Sequence, residues 1–298
     1  MDGSGNFYLT GAVSDNVFRI EASTTCSTGG TPCTITEIIN EDGDGSSKLD
    51  YPIGVAVGPT GNVFVAGYGS HNAFRIDAPT TCSTTGTPCT IVEIIDSNGH
   101  GPPNSLTAAR AIAVDGAENV YVTGDNSDNV FRIASATTCS TTGTPCTITE
   151  IMDSTSGLDR PTGIAVDRSG NVYVTGYDSN NAFRIDAPTT CSTGGTPCTI
   201  TEIIDGDGDG IGNTLDGPVR IAVSASGRVY VTGNYSDNLF EISADGTITA
   251  IIDSTGGGAA ALDHTSDVAV GRSGHVYVVG AVSDNAFKMG DFPVFADG

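Results

Sequence analysis

A phrase of sixteen residues is written six times in this chain, and little else constrains its fold as tightly. Residues 170–185 read GNVYVTGYDSNNAFRI, and close copies start at Gly5, Gly61, Glu118, Gly227 and Gly274. The internal glycine recurs at Gly11, Gly67, Gly124, Gly176, Gly233 and Gly280, every 47 to 57 residues. A period near fifty belongs to arrays of supersecondary units, each of which buries its apolar faces only against its neighbours. The repeats run roughly over 1–51, 52–106, 107–158, 159–215, 216–262 and 263–298 of one propeller domain spanning 1–298.

The fourth repeat shows the unit. Pro161–Asp167 reads as a strand (a), Arg168–Asn171 as a hairpin turn with glycine at its left-handed position, and Val172–Gly176 as strand b. A second turn, Asp178–Asn181, leads to strand c at Ala182–Ile185, and Thr199–Asp205 is strand d. Four short antiparallel strands per repeat describe a propeller blade. Tyr8, Phe64, Tyr121, Tyr173, Tyr230 and Tyr277 share one position of strand b, and Phe18, Phe74, Phe131, Phe183, Phe240 and Phe287 one position of strand c. These are twelve of nineteen aromatic residues, so they are read as packing between blades and not as a ligand box.

The pattern P-x-G-I-A-V-D-x-S-G-N-V-Y-V resembles the NHL repeat and extends over essentially the whole chain. The resemblance implies an all-β, six-bladed β-propeller of four-stranded antiparallel blades. It implies little about activity, because that scaffold carries unrelated functions.

Eight cysteines fall in four C-x6-C pairs, Cys26/Cys33, Cys82/Cys89, Cys139/Cys146 and Cys191/Cys198. The segments between them, STGGTP or STTGTP, are turn-forming, so each pair closes a local disulfide. Such clips indicate an oxidising compartment, extracellular or cell surface, and contribute roughly 2–3 kcal/mol each. C-x6-C without histidine is not zinc spacing. In the fifth repeat the same connection shrinks to Ser243–Gly246. The cysteine segment is therefore read as an insertion in the c–d hairpin that decorates four blades. Met1-Asp2-Gly3 opens on a turn, so an extracellular placement makes this a mature or fragmentary product.

A net charge of −23 argues against nucleic acid and anionic membrane surfaces, and no apolar run reaches membrane-spanning length. Cations remain open as partners. Asp205, Asp207 and Asp209, with Asn213 and Asp216, follow the spacing of a calcium loop, and Asn40, Asp42 and Asp44 form a shorter version; Asp96, Asn98 and His100 are weaker. Calcium is the one cofactor expected. The rival reading of these Asp-Gly pairs is tight turns. The S-x-N turns between strands b and c recur in every blade and are read as turn caps. Arg110, Arg160, Arg220 and His264 depart from the repeat near the inner strands, but none forms a catalytic set with recognisable spacing. Asn234 heads the N-Y-S glycosylation sequon.

The ends do not add up to whole blades. Strand a occurs five times, the first repeat lacks it, and the tail with Phe292, Pro293, Val294 and Phe295 supplies one further strand. That strand either closes the propeller within one chain or completes the open blade of a second copy, head to tail. The reading that gathers these features is a non-enzymatic extracellular structural or interaction module, partnered by itself as a homo-oligomer or filament, or by other extracellular proteins. A metal-dependent lyase or lactonase with its site at the channel mouth, and a ligand-binding domain of a longer secreted protein, are the alternatives.

Overall fold

The computed structural model describes residues 1–22, 32–134, 136–139, 144–255, 261–271 and 273–290. Its fold class is the six-bladed β-propeller. The chain divides into two compact units, Met1–Ile151 and Met152–Gly298, with three blades assigned to each. Blade 1 is β1 (Phe7–Gly11), β2 (Asn16–Ile20) and β3 (Ile35–Ile39); blade 2 is β4 (Pro52–Val57), β5 (Val63–Gly67), β6 (Asn72–Asp77) and β7 (Thr90–Ile95). Blade 3 is β8 (Ala109–Val114), β9 (Val120–Gly124), β10 (Asn129–Ala134) and β11 (Thr147–Met152). In the second unit, blade 4 is β12 (Pro161–Val166), β13 (Val172–Gly176), β14 (Asn181–Ile185) and β15 (Ile200–Ile204). Blade 5 is β16 (Pro218–Val223), β17 (Val229–Gly233), β18 (Asn238–Ile242) and β19 (Ile248–Ile252), and blade 6 is β20 (Thr265–Val270), β21 (Val276–Gly280) and β22 (Asn285–Met289). Every sheet is an antiparallel meander in sequence order. The first and last have three strands among the described residues, blade 1 lacking its inner strand as its sequence indicates.

The a–b turn explains why the repeat carries D-x-S-G-N-V-Y. In blade 4, Asp167 Oδ1 accepts the Ser169 and Asn171 amides, and Oδ2 accepts the Asn171 side chain and the Tyr173 hydroxyl. Asp115 does the same in blade 3 and Asp2 in blade 1, where the turn persists without its strand. The repeated tyrosine is thus packed by its ring and held by its hydroxyl, which its position in the pattern did not disclose. Gly170 sits at φ 83°, and Glu118 occupies the same left-handed position in blade 3 at φ 61°. The Glu118 carboxylate accepts the Thr60 amide and hydroxyl of blade 2, a contact that offsets the strain.

Three clips are described, Cys82–Cys89, Cys139–Cys146 and Cys191–Cys198, with Cα separations of 4.8, 4.8 and 4.9 Å. Cys26, expected to pair with Cys33, lies outside the described residues, as do Phe292, Pro293, Val294 and Phe295; among the described residues no cysteine is free. The strand register fixes the insertion as read: Ile185 faces Ile200 across the clipped hairpin, and Ile242 faces Ile248 across the short one.

The hairpins do more than decorate. Thr84 of the blade 2 hairpin donates its amide to the Glu37 carbonyl (3.0 Å) and its hydroxyl to the Glu37 carboxylate (2.6 Å) on blade 1. Arg19 of β2 donates to the Pro79 carbonyl of that hairpin, and Arg75 of β6 to the Ala136 and Cys139 carbonyls of the next. Cys139 is buried in an apolar cluster with Phe64, Ile94 and Val120. In blades 2 and 3 the clipped hairpin therefore seals the junction between its own blade and the one before it. Sequence position within one repeat conceals this, because both partners lie in different repeats.

Candidate functional site

The b–c turns are the most uniform polar feature, and they are structural. In all six blades the serine hydroxyl donates to the asparagine Oδ1 two residues on, at 2.7–2.9 Å. The asparagine amide reaches back to a carbonyl 24 residues earlier in blades 2–6, and in blades 1–4 to the strand-d glutamate: Glu37, Glu93, Glu150 or Glu202. This clasp explains the internal glycine of the phrase. A Cβ on Gly176, or on its five equivalents, would overlap both the serine Oγ and the asparagine Oδ1.

In blades 1, 2, 4 and 5 the central residue of the turn reaches the following blade. Asp15 accepts the Tyr51 amide, His71 that of Ala108, Asn180 that of Gly217 and Asp237 that of His264, at 2.7–2.9 Å. The residue donating this bond precedes strand a and lies at positive φ, between 49° and 58° in these four junctions. Side chains at this lock vary from blade to blade, and in the second unit they assemble a surface strip. The Arg160 guanidinium lies 5.1 Å from the centre of the Tyr177 ring and pairs with Asp178 at 3.4 Å. Tyr177 and Tyr235 lie 5.8 Å apart, and His264 stands edge-on to Tyr235 at 6.0 Å. Gly217, at φ 57°, passes beneath both rings, where a Cβ would strike Tyr235. His264 Nδ1 is 2.7 Å from Asp263, and potential ligand atoms of Asp237, Asp263 and His264 all lie within 4.8 Å of one another.

In the acidic loops the carboxylates accept backbone amides. Asp209 Oδ1 accepts the Ile211 and Asn213 amides and its Oδ2 the Asn213 side chain, while Asp205 Oδ1 accepts the Asp207 amide. This repeats the Asp–Asn arrangement of the a–b turns, and the hydrogen bonds hold the Asp209 carboxyl below its usual range against the opposing effect of desolvation. The Asp216 amide donates to the Ser236 hydroxyl. In the first loop Asp44 Oδ1 caps the Ser46 and Ser47 amides, and Asn40 caps Asp42. In the second, Asp96 caps Asn98. Among the described residues, Asp237, Asp263 and His264 are the cluster of three in metal-holding reach, and the carboxylates of Asp205, Asp207 and Asp209 are not gathered in that way.

Residues 154–183 match the beta-propeller repeat family SBBP. This is a β-propeller repeat protein. The match to the repeat phrase holds at that level, and no curated protein matches the chain. Among solved structures, a streptogramin B lyase covers 96% of this chain and 76% of its own at 15% identity, with a TM-score of 0.63. Virginiamycin B lyase from Staphylococcus aureus is similar at 15% identity and TM-score 0.63, over 97% of this chain and 78% of that one. A nidogen/laminin complex aligns over 96% and 89% at 15% identity, with a TM-score of 0.61. At such identity these likenesses speak for the fold alone.

The remaining departures from the propeller's repeat are held by neighbours. Arg110 pairs with fully buried Asp125 at 2.7 Å. Arg220 donates to the Thr162 carbonyl of blade 4 and approaches Asp267 of blade 6 at 3.7 Å. The Asn234 amide donates to the Thr265 carbonyl, so the sequon's acceptor nitrogen already has one partner across the blade junction. Burial, followed by a hydrogen bond to Tyr235, pushes the Tyr177 hydroxyl up to about 12. The His264 set was hidden from pattern reading because Asp237 lies 27 residues away. Pairing each S-x-N centre with the residue before the next strand a would have found it.

Proposed function

We propose that this propeller is a non-enzymatic extracellular structural and interaction module that associates head to tail through its terminal blades. One observation carries the reading: the outermost blades bare apolar residues whose equivalents elsewhere are covered. Strand b is buried at all five residues in blades 2–5. In blade 1, Phe7 and Leu9 are more than half exposed, and in blade 6 it is Tyr277 and Val279 that emerge. Strand geometry puts these pairs on faces of opposite parity. Two such faces on two copies make a heterologous contact, which propagates. The three disulfides fit an extracellular setting. Sedimentation velocity and electron microscopy of the full chain test the association, which Leu9→Lys and Val279→Lys should each abolish. A chain that stays monomeric at every concentration sinks it.

A metal-dependent lyase is the second reading, favoured by the Asp237–Asp263–His264 cluster, whose imidazole and carboxylates are of the kind that hold a divalent cation. Lyase activity of the purified chain on virginiamycin B, lost in His264→Ala, would put this reading first.

A further inference from the structure

The lock between blades 5 and 6 differs from its equivalents in the donors it gathers. Asp237 comes from the turn between β17 and β18, and Asp263 and His264 immediately precede β20. At the other three locks Asp15 bonds Tyr51, which follows Asp50; His71 bonds Ala108, which follows Thr107; and Asn180 bonds Gly217, which follows Asp216. The first has two carboxylates and no imidazole, and the second an imidazole and no carboxylate. Only the lock at His264 sets a ring nitrogen beside carboxylates from both blades, with potential ligand atoms within 4.8 Å of one another.

The backbone beneath these donors is fixed, and the donors themselves are open. Asp237 Oδ1 accepts the His264 amide at 2.7 Å, and the Asp263 amide donates to the Ser283 hydroxyl of the blade 6 clasp. The ring of Tyr235 stands edge-on to the imidazole. The His264 and Asp263 side chains are 45% and 42% exposed, so a hydrated ion reaches them without opening the blade. A net charge of −23 raises the concentration of any cation near the surface.

We infer that Asp237, Asp263 and His264 bind one zinc-type divalent cation, and that the ion clamps blade 6 to blade 5. Donor chemistry selects the class of ion. Calcium takes roughly six to eight oxygen ligands, whereas imidazole with carboxylates suits zinc and its first-row neighbours. Three protein ligands leave the remaining positions to water. Because the ligands come from two blades, the site exists only while the blades are docked, and binding stabilises the docked state by mass action. This role is structural and goes beyond both functional readings above, since it needs neither self-association nor turnover.

Zinc chloride titrated into the full chain by calorimetry, with the thermal midpoint followed at each zinc concentration, tests the site. One equivalent should bind saturably, calcium chloride should bind at least tenfold more weakly, and the midpoint should rise with zinc. Asp263→Asn and His264→Tyr should each weaken zinc binding at least tenfold. The second installs the residue that blade 2 carries before strand a, where Tyr51 lies at φ 49° and His264 at 52°, so the fold tolerates it. Asp237→Asn keeps an oxygen for the His264 amide, removes the carboxylate and should weaken binding as much. No saturable binding, equal affinity for calcium, or undiminished zinc binding in any of the three variants overturns the site. Zinc binding without a rise in the midpoint overturns the clamp. A chain that stays monomeric, or is inert on virginiamycin B, leaves the site standing, whereas failure to bind zinc removes the support of the lyase reading and leaves the terminal-blade reading untouched.

Discussion

Tyr230 and Tyr277 hold the same place in strand b of consecutive blades, yet one is 2% exposed and the other 42%. The strands are alike in length and register, each facing its blade's strand a and strand c through the same partners. The surroundings differ: blade 5 is flanked within its unit by blades 4 and 6, and blade 6 has three strands among the described residues where blade 5 has four. Burial in a repeat protein is a property of neighbours more than of the repeat itself.

Several measurements sharpen or break this contrast. The largest effect is expected for Tyr230→Ala, about 3–5 kcal/mol by urea unfolding, against about 1 kcal/mol or less for Tyr277→Ala. Equal costs would mean that blade 6 is covered in solution, by another copy or by its own chain. Gly233→Ala should cost about 2–3 kcal/mol, since its Cβ would overlap Ser236 and Asn238. Gly280→Ala should cost as much, because that clasp is internal to the blade.

Removing the Cys139–Cys146 clip by a double serine substitution should cost roughly 3 kcal/mol, more than removing Cys191–Cys198, because Cys139 is buried and its carbonyl binds Arg75. The smallest effect is with pH. Burial and the charge of Asp167 push Tyr173 up to about 12, and burial with Glu241 does the same for Tyr230. A raised folded value favours the neutral phenol, so this stability is complete below about pH 10 and is lost as pH rises towards 12. Tyrosinate absorbance followed alongside circular dichroism should show these rings ionising only with unfolding.

The fold was legible because its signals are local and sixfold. Strand b at Val172–Gly176 and the hairpin register at Ile185 and Ile200 follow from turn chemistry and alternation within one repeat. The candidate site was not, since its contacts cross between repeats. Asp237 with His264 and Arg75 with Cys139 join residues 27 and 64 apart, and neither spacing is a motif. In the acidic loop, alternate aspartates suit both a cation and a run of backbone amides, and Asp209 accepts the Ile211 and Asn213 amides.

The hairpins that seal the junctions of blade 2 on blade 1 and of blade 3 on blade 2 have a consequence for anyone who would lengthen or shorten this array. A blade cut out at its sequence boundaries takes its clip away from the arginine and glutamate that the clip covers, and leaves its own pair facing a stranger. The segment that can be copied without loose ends therefore begins at strand c of one blade and finishes past the hairpin of the next. A designer extending the chain should splice there, through the middle of two blades, and should expect insertions of whole blades to aggregate.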